Sequence, residues 1–356
     1  MTLLEMLLAM TIMLLVTPAI VTFFSTVTKG FAHDEALTSL QKTNQELLSY
    51  LYLRVGTSRR IFDNRADDGV TLLGRLDMTN CPATLVGSKL PTIYPAGSFD
   101  VASTLCAPAS FGNMLLFLSQ GDQVTYRGVT NIFNVGVTVT LDTYKLYYFY
   151  LTPNNPKNTT GYDTYRLIEW RSVPLADGRA IKNAFSSDVS FGTNLLSQIK
   201  APTPCPTYQA PMTYAVDFSM PVTQMFGTVN QLAQATTAAS VAYATTIPGD
   251  YWPVTQMVNG VPVSFKTQYQ YYRPWTYMNQ MGMGHIFRYG ISSNSISRKV
   301  PKFGIASGLF PGGFEVGIIG SQAARQVLVR VNHVAQAFGA DIVNDQLASC
   351  FARDVY

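Results

Sequence analysis

The sequence predicts an α+β protein: a long N-terminal helix over about residues 1–55, laid on an antiparallel β-sheet, with an enlarged β-rich C-terminal region. Three observations carry this. Residues 1–24 are an apolar run with a single ionisable side chain, Glu5. Residues 25–55 then repeat apolar residues at helical spacing. Beyond residue 113 the chain turns to short β-branched and aromatic segments separated by Gly, Pro and Asn.

The first segment reads MTLLEMLLAMTIMLLVTPAIVTFF. As a helix it spans about 36 Å, enough for the ~30 Å hydrocarbon core of a bilayer. A secretory signal would open with a positive region and close on a small-residue cleavage site, and neither is present. A simple anchor gains nothing from Glu5, because a carboxylate in lipid costs on the order of 2.5–3.5 kcal/mol or more. No Lys or Arg precedes Lys29. The expected partner of Glu5 is therefore the α-amino group of residue 1, on this chain or a neighbouring one. Pro18 lacks an N–H and deprives the Leu14 carbonyl of its helical partner. Thr11, Thr17 and Thr22 are placed to compensate inside lipid; Pro18 reads either as a mere kink or as a point around which residues 14–18 extend when the subunit leaves the membrane.

Thr2-Leu3-Leu4-Glu5 followed by an unbroken apolar run resembles the mature N-terminus of type IV pilins and the related pseudopilins. The resemblance is specific over the first 24 residues and architectural to about residue 55. It implies a leader removed by a prepilin peptidase, an N-methylated Met1, and passage through the inner membrane. Assembly machinery then builds an extracellular filament that is a helical homopolymer. Met1, Thr2, Glu5, Leu14 and Pro18 are the implied assembly residues, with Glu5 of one subunit facing residue 1 of the next. Two features depart from the family pattern: residue 1 is Met where Phe is commoner, and Pro18 falls earlier than the usual proline.

From residue 25 the helix is expected to turn amphipathic. Phe31, Leu37, Leu40, Leu47, Leu48 and Leu51 form the apolar stripe, with Lys29, Asp34, Lys42 and Glu46 between them, and Arg54-Val55-Gly56 supplies a stop. Residues 56–112 read as a loop-rich insertion. Its run Asp63, Asp67, Asp68-Gly69 has a basic residue, Arg65, where a calcium loop wants an oxygen ligand, so an ordinary turn is expected. Residues 113–200 are expected to form a β-meander, with strands at Met114–Ser119, Gln123–Arg127 and Ile132–Leu141. Its clearest hairpin pairs Tyr144–Leu151 with Tyr162–Ser172. Residues 201–356 read as a second β-rich lobe, with a helix expected at Phe226–Tyr243.

Composition agrees with export. Charged residues make up 13% of the chain, against ~25% in an average domain, and the net charge is +4. Arg288, Arg298, Lys299 and Lys302 are the densest basic group and read as a solvated loop rather than a nucleic-acid footprint. The four cysteines match no zinc spacing and allow three disulfide connectivities. Cys81–Cys106 as a local loop and Cys205–Cys350 as a C-terminal staple are preferred, each worth roughly 3–5 kcal/mol on the loop-entropy model. No cofactor or metal motif is present, and no catalytic set: His33, His285 and His333 are scattered, and the glycine stretches lack a phosphate-loop context. Asn158-Thr159-Thr160 matches a glycosylation sequon.

One aromatic run, Tyr269, Tyr271, Tyr272, Trp275 and Tyr277, reads as strand core or as a face for surfaces, glycans or a neighbouring subunit. Filament subunit is the leading expectation. A minor pilin or secretion pseudopilin that primes or caps a filament is the alternative within the family. A membrane-anchored extracytoplasmic binding or adhesion protein is the alternative of another class. Adhesion, motility, DNA uptake and secretion share this architecture, and fold does not choose among them.

Overall fold

The computed structural model describes residues 2–79, 81–94, 110–153, 164–201, 212–234, 246–258, 261–270, 272–274, 278–282, 285–292, 313–321, 324–337 and 340–352. At 164, 234, 251–292 and 335–341 the description covers the backbone. The chain begins with α1 (Leu3–Gly56), β1 (Ser58–Phe62), α2 (Gly69–Leu73) and β2 (Ile93–Tyr94). Then come β3 (Leu115–Gln120), β4 (Val124–Thr130), β5 (Gly136–Leu141), β6 (Thr143–Pro153), β7 (Thr164–Arg171) and β8 (Leu175–Asp177). Next are α3 (Gly178–Ser187), α4 (Val189–Lys200), β9 (Tyr214–Val216), α5 (Val222–Met225), β10 (Phe226–Thr228) and α6 (Val229–Gln234). The C-terminal part holds β11 (Tyr251–Val258), β12 (Val261–Gln270), β13 (Tyr272–Pro274), β14 (Met278–Gly282) and β15 (His285–Ser292). It closes with β16 (Phe314–Ile319), β17 (Arg325–Ala337) and β18 (Ala340–Ala352).

The long helix on a largely antiparallel sheet is as expected. Fourteen strands form one sheet whose main path runs β10-β9-β8-β6-β7-β15-β17-β16-β2, with only β8·β9 and β16·β2 parallel. The expected hairpin is β6–β7, registered from Tyr147↔Arg171 to Pro153↔Tyr165. Strand β15 pairs with both β7 and β17. Strands β13 to β18 therefore extend the first sheet, where the sequence suggested a second lobe, while β11 and β12 form a two-stranded sheet of their own.

Both faces of the central strands are covered, so β3 reads as a continuous apolar run, Leu-Leu-Phe-Leu, without alternation. Leu115 and Phe117 point to one face with Phe149, Leu151, Leu167, Val316 and Val329, and there Leu47, Leu51 and Val55 of α1 pack on them. Leu116 and Leu118 point to the other with Leu146, Tyr148, Tyr150 and Trp170, under Leu72, Leu76, Leu90 and Phe226. A satellite cluster joins the β4–β5 hairpin to α3, α4 and α6 through Val129, Leu141, Ile181, Leu195 and Leu232.

Three local expectations are corrected. Residues 178–200, expected as meander, form α3 and α4. Asp177 accepts from the N–H groups of Arg179 (2.9 Å) and Ala180 (3.1 Å), and Asp188 from those of Ser190 (2.8 Å) and Phe191 (3.2 Å). Each carboxylate thus satisfies two of the orphan donors at a helix start. Ile132–Val135 is a turn instead of a strand, because Asn134 adopts φ 58° and Asn131 collects the loop N–H groups. The stretch expected as one helix from Phe226 begins as β10 and becomes helical at Val229.

Candidate functional site

Helix α1 has two halves with opposite surroundings. From Ala32 onward its buried residues are Ala32, Ala36, Leu40, Asn44, Leu47, Leu51 and Val55, spaced four, four, four, three, four and four apart. That is one face of a 3.6-residue helix. Leu40 and Leu47 are completely buried, and each such side chain stabilises the helix on its platform by roughly 1.5–3 kcal/mol. The platform is β17 and β18 with the end of β3. The stripe differs from the expected one at its start: Phe31 is 72% exposed, and the small Ala32 and Ala36 face Ile342 instead. Small residues bring the helix axis close to the strand, and a phenylalanine on that line would hold it away.

Polar groups fix the register of this contact. Asn44 sits in the stripe with no exposure, donates its amide N–H to the Asn344 carbonyl (3.3 Å), and meets Nδ1 of the equally buried His333. Because the Asn44 oxygen only accepts, Nδ1 carries the histidine proton. Burial lowers the imidazole pKa to about 3, so the ring is neutral. Farther along, the Tyr50 hydroxyl donates to buried Glu169 (2.6 Å), which together with burial pushes the phenol well above its usual range. The Arg54 guanidinium lies 5.3 Å from the ring centroids of both Tyr50 and Tyr147. Thr57 ends the helix by donating to the carbonyls of Leu53 and Arg54 and meeting Ser119 at 2.8 Å.

The other half, up to Phe31, stands free of the domain. It is long and apolar enough to cross a membrane, with a mean hydropathy of 2.3 over its best window and none of that window buried. Leu14 is 75% exposed there. The helix passes Pro18 without interruption in the single chain, whereas the extension around 14–18 is expected once a subunit has left the membrane. Thr11 and Thr22 donate to the carbonyls of Leu7 and Pro18, one turn behind each, and leave that of Leu14 alone.

Glu5 lies in the first turn. Its Oε2 accepts the backbone N–H of Thr2 at 2.8 Å, while the Thr2 carbonyl accepts from Glu5 N (3.1 Å) and Met6 N (3.2 Å). The sequence argument allowed Glu5 no partner but a terminal amine. The fold supplies a backbone donor, and the positive end of the helix dipole favours the carboxylate there as well. One oxygen is thereby oriented and the other stays open to a cation.

Met1, Cys106, Asn158, Cys205, Tyr271, Trp275, Tyr277, Arg298, Lys299 and Lys302 lie outside the described residues. Both expected disulfides involve one of these positions. Cys350 is a buried thiol that donates to the Val327 carbonyl at 3.7 Å, and Cys81 is half-buried against the second face of the sheet. Tyr269 and Tyr272, expected on one aromatic surface, belong to different sheets: β12 pairs with β11, and β13 pairs with β7. In the acidic loop, Asp63 pairs with Arg65 at 2.9 Å and Asp68 with Arg60 at 3.1 Å. No family model, curated protein or solved structure matches this chain.

Proposed function

We propose that this chain is the structural subunit of an extracellular filament of the type IV pilus kind, held in the inner membrane by α1 before assembly. The observation that carries the reading is the division of α1. Its second half is locked on the sheet by an apolar stripe and the Asn44–His333 contact. Its first half projects as an uncovered apolar rod of about 40 Å, at ~1.5 Å per residue. A rod of that kind is stable only when surrounded by lipid or by other apolar helices. Glu5 supports the second, since a carboxylate gains nothing in lipid whereas a helix bundle can supply it with a counter-charge. A cation on an incoming copy meets a carboxylate already aimed by the Thr2 N–H, in a low-dielectric bundle where attraction is strong. Desolvation offsets part of that gain, so the pair sets register and direction more than it sets stability.

The test is Glu5→Val in cells that display the chain, with membrane content and sheared surface filaments quantified in parallel. Wild-type membrane content with filaments lost is the expected result. Normal filament yield from the variant refutes the role of Glu5. Wild-type protein that stays wholly in the membrane fraction refutes the filament in favour of an anchored extracytoplasmic protein.

A further inference from the structure

The seat of α1 changes character between Asn44 and Leu47. Leu47, Leu51 and Val55 pack into the main core with side chains of β3, β6, β7, β16 and β17, among them Phe117, Phe149, Leu167, Val316 and Val329. Ala32, Ala36 and Leu40 belong to a separate small cluster, whose described strand member is Ile342. The ladder there pairs Ala335 with Ile342 and Ala337 with Ala340, so by register this end of the β17–β18 hairpin is mostly alanine. Apolar stabilisation follows the area buried, so residues 32–40 are held less strongly than residues 47–55.

The joint between the two halves is polar and incompletely satisfied. Asn44, His333 and Asn344 are all buried, yet Nε2 of His333 and Nδ2 of Asn344 have no hydrogen-bond partner among the described residues. Such atoms destabilise the docked helix and find water as soon as it moves away. Thr43 Oγ1 donates to the Ser39 carbonyl at 3.0 Å, a back-bond of the kind that bends helices. On the outer side Gln41, Lys42, Gln45 and Glu46 are exposed, so none of them is packed against a bend there.

We propose that α1 from Ala32 to Asn44 lifts from the β17–β18 hairpin as one strap, bending just before Leu47, while residues 47–55 stay in the core. Leaving the hairpin exposes one leucine, one isoleucine and a few alanines, and it hydrates two polar atoms that the docked state leaves unpaired. The balance between docked and lifted strap is therefore close, whereas the balance at Leu47, Leu51 and Val55 is not. A lifted strap carries the apolar rod with it, so the domain tilts against its own rod without unfolding. The motion belongs to the single chain and needs no filament.

The test is thiol labelling of the full chain in mild detergent, with adducts mapped by mass. Ala36→Cys reports the strap, and the buried native thiol of Cys350 reports the core. Should Ala36→Cys fail to fold, Ala32→Cys on the same face of the helix gives the same reading. Below the unfolding transition, Ala36→Cys is expected to label about 100-fold faster than Cys350 or more, because local opening needs less free energy than global unfolding. Its rate changes little with urea, while that of Cys350 climbs steeply, because lifting exposes far less surface than unfolding. Asn44→Ala speeds labelling at Ala36→Cys about tenfold or more, and Asn44→Leu with His333→Phe returns it to the starting rate or below. Equal rates at the two thiols, or a shared steep urea dependence, overturn the proposal. So does a rate that Asn44→Ala leaves unchanged, or one as fast as that of an unfolded chain, which would mean a strap that never docks. The readout comes from single chains, so it is independent of filament yield.

Discussion

Removing the Asn44 side chain tests how α1 is held. In Asn44→Ala the buried Nδ1–H of His333 loses its acceptor, and the Asn344 carbonyl loses a donor. Nε2 of the same ring already lacks a hydrogen-bond partner. Each buried group left unsatisfied costs about 1–3 kcal/mol, so the variant is expected to lose roughly 2–6 kcal/mol. The double variant Asn44→Leu with His333→Phe removes donor and acceptor together and replaces them with apolar volume, so it is expected to recover most of the loss. The assay is urea unfolding of the full chain in mild detergent, followed by the fluorescence of tryptophan, of which Trp170 is fully buried in the core. With the single variants Asn44→Leu and His333→Phe added, the double variant completes a mutant cycle. A loss below about 0.5 kcal/mol in Asn44→Ala, typical of a surface change, would refute a structural role for this contact.

The same histidine makes stability depend on pH. Its folded-state pKa of about 3 lies below the ordinary 6.5, so the unfolded chain binds the extra proton. The contribution is complete above pH 6.5 and is lost as pH falls toward 3, with a slope of at most ~1.4 kcal/mol per pH unit. Unfolding midpoints from pH 7 to 4 should flatten in His333→Phe, and an unchanged slope would assign the acid sensitivity to other groups. Arg330 joins Glu315 (2.8 Å) and Asp345 (2.7 Å) across β16, β17 and β18. Arg330→Met leaves the buried Glu315 carboxylate without its main counter-charge and should destabilise by about 3–5 kcal/mol in the same urea assay. A smaller loss with Glu315→Gln added to Arg330→Met would locate the cost in that carboxylate.

Much of the architecture was legible because it is written in local pattern. An apolar run followed by helical periodicity announces α1, and the β-branched and aromatic runs flanking a turn-rich stretch announce β6–β7. The facing of α1 was harder to read. Hydropathy favours Phe31 over Ala32, but the close approach to Ile342 favours the smaller side chain. Helices α3 and α4 were missed because their signal is two aspartate caps rather than a strong apolar period. Ile132 to Val135 looks like a strand to any count of β-branched residues, yet two asparagines turn it. The pairing of β15 with β7, and of Asn44 with His333 at a separation of 289 residues, belongs to tertiary structure, and neither position names its partner. Asn44 did carry one local clue, a polar residue on the line of Leu40, Leu47 and Leu51.

That separation has a consequence for biogenesis. Ribosomes add about 5–20 residues per second, so strand β17 emerges roughly 15–60 s after the part of α1 that will rest on it. During that interval Leu47, Leu51 and Val55 can already meet β3 and β6, while Ala32, Ala36, Leu40 and Asn44 still lack the strands that cover them. On the reading proposed above, insertion of the rod precedes docking of this part of the helix. A ribosome that stalls before β17 would leave a tethered chain with this part of its stripe bare, a natural substrate for membrane-surface quality control.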